Sequence, residues 1–278
     1  MAGGKISRNL YGGLSFKRGL ATPVSMLIIF FSLTVVSTVT YYHALSRIDA
    51  KKEGLKLVAA EEKMLDLEES VSSAAWTPGS SRVLAFSDYG GELKVEPASN
   101  HLKINVTMGA SSYILFNSDT GSVLYELPPT TSRHVGRWLR GDDRAIVNKS
   151  ASYLAQVRIE RGEEKEELIL GYRPLASSST GELVNGRRVN DIRIYVVNLN
   201  GSQIYSSKGE FHLEARCSGV STSVHAYNLT SAISSASISA TLGGSERTVV
   251  VPITSGPSGS TVRYEVVVCF VELRGMSV

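Results

Sequence analysis

LATPVSMLIIFFSLTVVSTVTYY, residues Leu20–Tyr42, carries no charged side chain over 23 positions and is rich in Val, Ile, Leu and Phe. About 20 such residues cross the hydrocarbon of a bilayer as one helix. The segment ahead of it, 1–19, holds Lys5, Arg8, Lys17 and Arg18 and no acid. A basic flank of this kind stays on the cytoplasmic side. The pattern predicts a single-pass cell-membrane protein, N-terminus inside, with everything after Tyr42 outside. A cleavable secretory signal fits less well. Its apolar core is typically ~7–15 residues long and ends in a small-x-small site. Val39-Thr40-Tyr41-Tyr42-His43-Ala44 offers no such site. The run therefore reads as a retained anchor, either uncut or cut ahead of the helix.

Charge outward from this run is distributed unevenly. Of the net +3 over 278 residues, the first 19 contribute four basic groups and no acid. Residues 47–70 carry five basic and seven acidic groups, and the rest, from Val71 on, twenty and nineteen. The external part is thus nearly neutral, without the footprint of a nucleic-acid binder. About 200 residues remain beyond the anchor and the helix after it, enough for one or two domains. The two cysteines, Cys217 and Cys269, both fall outside the membrane on this topology. An oxidising compartment makes a disulfide between them the expectation, against two buried thiols.

From His43 to Ala75 the chain has no proline and is rich in good helix formers. Leu57, Ala60, Met64, Leu67 and Val71 are spaced 3, 4, 3, 4, and Leu45, Ile48, Leu55 and Ala59 extend an apolar face upstream. Such a stripe packs either on the chain's own domain or on helices of copies and partners, and the spacing alone leaves both open. Trp76-Thr77-Pro78-Gly79-Ser80-Ser81 ends the helix. Beyond it the period becomes two: Leu102, Ile104, Val106 and Met108, and Ile238, Ala240 and Leu242, alternate with polar residues. Further strands are expected at 82–87, 93–96, 113–116, 123–127, 167–172, 191–199, 211–217, 247–252 and 262–273. Turn signals fall at Tyr89-Gly90-Gly91, Asp119-Thr120-Gly121, Asn200-Gly201 and Gly243-Gly244, with Asn200-Gly201 suited to a tight hairpin. Residues 128–152 read as a long connection that could divide the β region in two. The expected fold class is α+β: a long apolar helix continuing into a stalk, then an antiparallel, sandwich-like β head.

Four Asn-x-Ser/Thr sequons, at Asn105, Asn148, Asn200 and Asn228, lie on the predicted outer side and point to a glycosylated surface protein. Catalytic motifs are missing: no nucleophile elbow, phosphate loop or metalloprotease helix occurs. His43, His101, His134, His212 and His225 show no ligand spacing. Asp142-Asp143 could assist a cation but reads more simply as solvated, and Glu163-Glu164-Lys165-Glu166-Glu167 as a charged hairpin tip. The expectation is a non-enzymatic protein without cofactor or metal.

Lys17-Arg18-Gly19 ahead of the apolar run, Pro23-Val24 just inside it, and helix running on into a β-rich region together resemble the class III signal region of archaeal type IV pilins and pilin-like proteins. The resemblance covers about the first 75 residues. It implies cutting by a prepilin peptidase at Gly19-Leu20, so that Lys17, Arg18, Gly19 and Leu20 form the processing site. It also implies pilus-type assembly machinery, and a helix that sits in lipid or associates with copies of itself in a filament core. Val24 stands where bacterial pilins carry a glutamate, so their register contact is not expected. The large head favours a minor or accessory subunit over a major one. The implied domains are a leader at 1–19, a transmembrane or filament-core helix at 20–42, a stalk helix at 43–76 and an extracellular head at 80–278. The role is structural or adhesive. The alternative is a signal-anchored envelope module that binds a solute, glycan or protein partner.

Overall fold

The computed structural model describes residues 21–129, 136–148, 152–162 and 165–276. The leader and its processing site at Lys17–Leu20 lie outside these residues, as do His134, Glu163-Glu164, and the Lys149 and Ser150 of one sequon.

Helix α1 (Ala21–Ala74) runs for 54 residues. Pro23 sits in its first turn, where a missing N–H breaks no intrahelical bond, and no further proline occurs before Pro78. Trp76 takes a left-handed φ of 69° just past the helix end, and Ser80 Oγ donates to the orphan carbonyl of Ala74 at 2.6 Å. Residues Lys52–Val278 form one compact unit, distinct from the chain before them.

That unit is mostly β. Its strands are β1 (Ser81–Phe86), β2 (Glu92–Met108), β3 (Ser111–Leu127), β4 (Trp138–Arg140), β5 (Ala155–Arg161), β6 (Glu166–Tyr172), β7 (Leu175–Val184), β8 (Arg187–Asn198), β9 (Tyr205–Lys208), β10 (Phe211–Leu229), β11 (Ser235–Leu242), β12 (Ser245–Pro252) and β13 (Ser260–Met276). They form two curled sheets, one ordered β1-β10-β13-β8-β7, the other β12-β11-β2-β3-β6-β5-β4 with β9 on β2. One ladder departs from the antiparallel expectation. β13 runs parallel to β8, Ser260 opposite Arg188 through Phe270 opposite Asn198. Four strands separate these two in the chain, so no hairpin dictates their direction.

Two apolar clusters fill the unit, and each draws on both sheets. The first joins Val95, Tyr125 and Leu170 of the larger sheet to Leu213, Val271 and Leu273 of the smaller. The second joins Ile104, Val106 and Ile238 to Ile194, Tyr264 and Val266. The helical stripe belongs to the first cluster: Leu57, Ala60, Met64, Leu67 and Val71 are all at most 2% exposed. Of the two readings the spacing left open, the chain's own core is the one realised. Leu45, Ile48 and Leu55, by contrast, stay exposed.

Several sequence signals act differently from expectation. Asp119-Thr120-Gly121 is no turn but the middle of β3. A Cβ on Gly121 would come within 2.8 Å of the Glu96 carbonyl and 2.9 Å of Pro97 Cα, where the β2–β3 register slips. The glycine serves a close backbone approach. Asn200-Gly201 is a turn, yet β8 and β9 on either side of it belong to different sheets, so it closes no hairpin. The Asn-Gly hairpin is Asn185-Gly186 between β7 and β8, with φ of 49° and 74°. Gly243-Gly244, both at positive φ, closes β11 onto β12 as read.

Candidate functional site

Two features stand out once the folded core is accounted for. The first is the apolar helix segment of α1. Leu27, Phe30, Phe31, Leu33, Val36 and Val39 are exposed around its whole circumference. The helix is long and apolar enough to cross a membrane. Three of its hydroxyls are matched within the helix: Ser32, Thr34 and Thr38 each donate at 2.8 Å to the carbonyl four residues earlier. Hydroxyls matched in this way suit an apolar surrounding.

The second is a cleft of about 320 Å³ on the face of the larger sheet turned away from the first cluster. Period-two alternation builds it. On β5, Ala155, Val157 and Ile159 enter the core, so Gln156, Arg158 and Glu160 face the opposite way and line the cleft. Thr120 and Ser122 of β3, Gly171 of β6 and the β11–β12 turn complete it.

Trp138 forms one wall, and α1 helps to hold the strand it sits on. Glu61 Oε2 accepts from Arg137 at 2.6 Å, and Glu68, almost fully buried, accepts from both Arg140 and Ser72. The register slips between Trp138 and Arg140. That bulge lets Arg140 meet the helix while Trp138 faces the cleft. The Arg158 guanidinium lies 5.6 Å from the Trp138 ring centroid, a cation–π contact, and its Nε pairs with Glu160 at 2.6 Å.

The floor loop hangs on Asp142, which binds Arg144 and the fully buried Arg173. The Arg144 guanidinium, and Arg173 after it, hold the Asp142 carboxyl well below the usual carboxylate range. Arg173 also donates to the carbonyls of Tyr153 and Arg144. The pair read as simply solvated is thus split: Asp142 is a structural anion, and Asp143 lines the cleft and faces Arg247 at 3.4 Å. Among the described residues no group of His, Cys, Asp and Glu could hold a metal ion.

The expected modification sites are scattered. Asn200 and Asn228 are exposed, and Asn228 Oδ1 accepts from Thr261 Oγ1 at 2.8 Å. Asn148 is exposed, but its amide nitrogen donates to the Val250 carbonyl at 3.4 Å. Asn105 is half-buried between β11 and β3, its Oδ1 enclosed. Cys217 and Cys269 are buried free thiols with sulfurs 3.6 Å apart. Burial pushes the Cys269 thiol up to about 12, and its sulfur accepts from the Trp76 N–H at 3.3 Å. His101 stands apart from all of these, bonded to Asp119 and Asn117.

Of the cleft residues only Asp143 was weighed from sequence as a candidate binding group; Thr120, Gly121, Leu242 and Gly243 were read as turn and strand positions. The available signal was the polar member of each alternating pair in 155–161 beside a lone tryptophan. The chain matches no protein family, no curated protein and no solved structure.

Proposed function

We propose that the chain is a membrane-anchored, pilin-like surface protein with a structural or adhesive role, suited to a minor pilus subunit. The observation that carries this reading is the all-round exposed apolar segment of α1, on the same helix whose later turns are embedded in a β core. Lipid and neighbouring helices bury such a surface equally well. On this reading the N-terminus faces the cytoplasm, a prepilin peptidase cuts at Gly19-Leu20, and pilus-type machinery or self-association takes up the helix. Residues 43–76 act as the stalk of a β-sandwich head, glycosylated at Asn105, Asn148, Asn200 and Asn228. Cys217 and Cys269 become a disulfide outside the cell, since modest rotations bring their sulfurs to the ~2.05 Å bond. N-terminal sequencing of the mature protein from its native membrane tests the reading. A start at or next to Leu20 is expected, and an intact Met1 end would overturn it.

A second reading, a signal-anchored envelope binding module, is favoured by one observation: the cleft beside Trp138. In that case the apolar helix remains an uncut anchor, and the cleft supplies the function.

A further inference from the structure

We infer that the cleft between Trp138, Thr120 and Gly171 binds a neutral saccharide; the inference deepens the binding-module reading and rests on it. At about 320 Å³ the cleft lies at the small end of ligand sites, which run from roughly 300 to 1,000 Å³. Three observations define what fits. The wall is an indole, half-buried and held in place by Arg158. A sugar ring presents an apolar face of C–H groups that packs on such a surface.

The lining charges are already matched. Arg158 pairs with Glu160 at 2.6 Å and Asp143 with Arg247 at 3.4 Å. No excess charge is left to draw a phosphate, a polyanion or a free ammonium group. What remains for a ligand are the Arg158 Nε–H, which lies beside Glu160 without an aligned hydrogen bond, the neutral groups of Asn100 and Ser122 and, most tellingly, Thr120. Thr120 is 2% exposed, and its Oγ1 has no hydrogen-bond partner. A buried hydroxyl without a partner is costly. A ligand hydroxyl can both accept from it and donate to it. A purely apolar ligand would leave it stranded.

Gly171 keeps the floor open. A Cβ built there meets nothing within 4 Å. A larger side chain at this position fills the cleft without striking the protein.

The chain has two tryptophans, Trp76 and Trp138. Trp76→Phe therefore makes Trp138 the sole indole reporter. The full-length chain is placed in lipid nanodiscs free of glycoside detergents, whose head groups are themselves sugars. It is titrated with glucose, galactose, mannose, N-acetylglucosamine and their disaccharides. A second panel of amino acids and dicarboxylates is run beside them. The expected result is saturable change of Trp138 emission with at least one sugar. Gly171→Leu should weaken that binding roughly tenfold or more, as should Thr120→Val. Thr120→Val removes an unpartnered hydroxyl, so it should leave the melting temperature unchanged or raised. A fall in melting temperature with unchanged sugar affinity would show a structural hydroxyl and overturn the assignment. A response only to the charged panel, blocked by Gly171→Leu, would overturn the saccharide class while the binding-module reading stands. Silence toward both panels would overturn both.

Discussion

Arg173 is among the largest fully buried side chains in the molecule, and Asp142 is its carboxylate partner. Taking a partner from a buried charge costs ~3–5 kcal/mol when the pair is wholly enclosed. Asp142 is 37% exposed, and Arg173 keeps its carbonyl acceptors, so Asp142→Asn should cost about 2–3 kcal/mol by urea unfolding at neutral pH. The pH dependence has a definite sign. A carboxyl held low in the folded state lends stability above its unfolded value near ~4 and loses it as pH falls toward the folded value. Below about pH 4 the wild-type protein should therefore lose stability faster than Asp142→Asn. This pair was not legible in the sequence: 31 residues separate its members, and two neighbouring acids in a loop look the same whether solvated or buried. Trp138 was equally opaque. The short strand carrying it forms only because helix carboxylates and β5 hold it.

The stripe of α1 and the strands with strict alternation were the readable elements, because their periodicity is set by burial itself. Even so, the stripe did not name what it packs on, since a core sheet and a partner helix ask for the same spacing. With the core now assigned, Met64→Ala should lower stability by ~2–5 kcal/mol. Leu55→Ala, at a 71% exposed site, should change it by less than about 0.5 kcal/mol. Chemical denaturation of both variants separates the two. Turn chemistry was partly legible. Two Asn-Gly pairs stand in the chain, and local sequence does not reveal which one has paired strands on both sides. Gly186→Ala should cost about 1–2 kcal/mol, because residue 186 has a φ of 74° and an added Cβ would sit 2.6 Å from Ser258 Oγ. Gly201→Ala should stay within about 0.5 kcal/mol, its Cβ meeting only the flexible side chain of Glu272. The Ser-rich strand β7 was missed because three serines and a threonine in its centre lie exposed and show no alternation.

At the scale of the whole molecule, the unit from Lys52 on carries its own core, including the buried half of the helical stripe. A chain beginning at Lys52 should therefore be soluble and monodisperse without amphiphile and melt in one cooperative step. Restoring residues 21–51 should bring back the requirement for detergent or lipid, as sedimentation with and without detergent will read. The overall class, an apolar helix followed by β structure, was visible in the order of the periodicities. The pairing of the sheets was not, since strands that meet are far apart in the chain: β1 with β10, β2 with β11, β8 with β13. That sheet order sets a clock. β13, the last described strand, is the central strand of its sheet, held between β10 and β8. Neither flanking strand has its inner neighbour until residues 260–276 have emerged from the ribosome. Distant pairings of this kind close slowly. The smaller sheet thus stays unassembled until the last described strand has emerged, an open chain of the kind that can be passed across a bilayer before it folds.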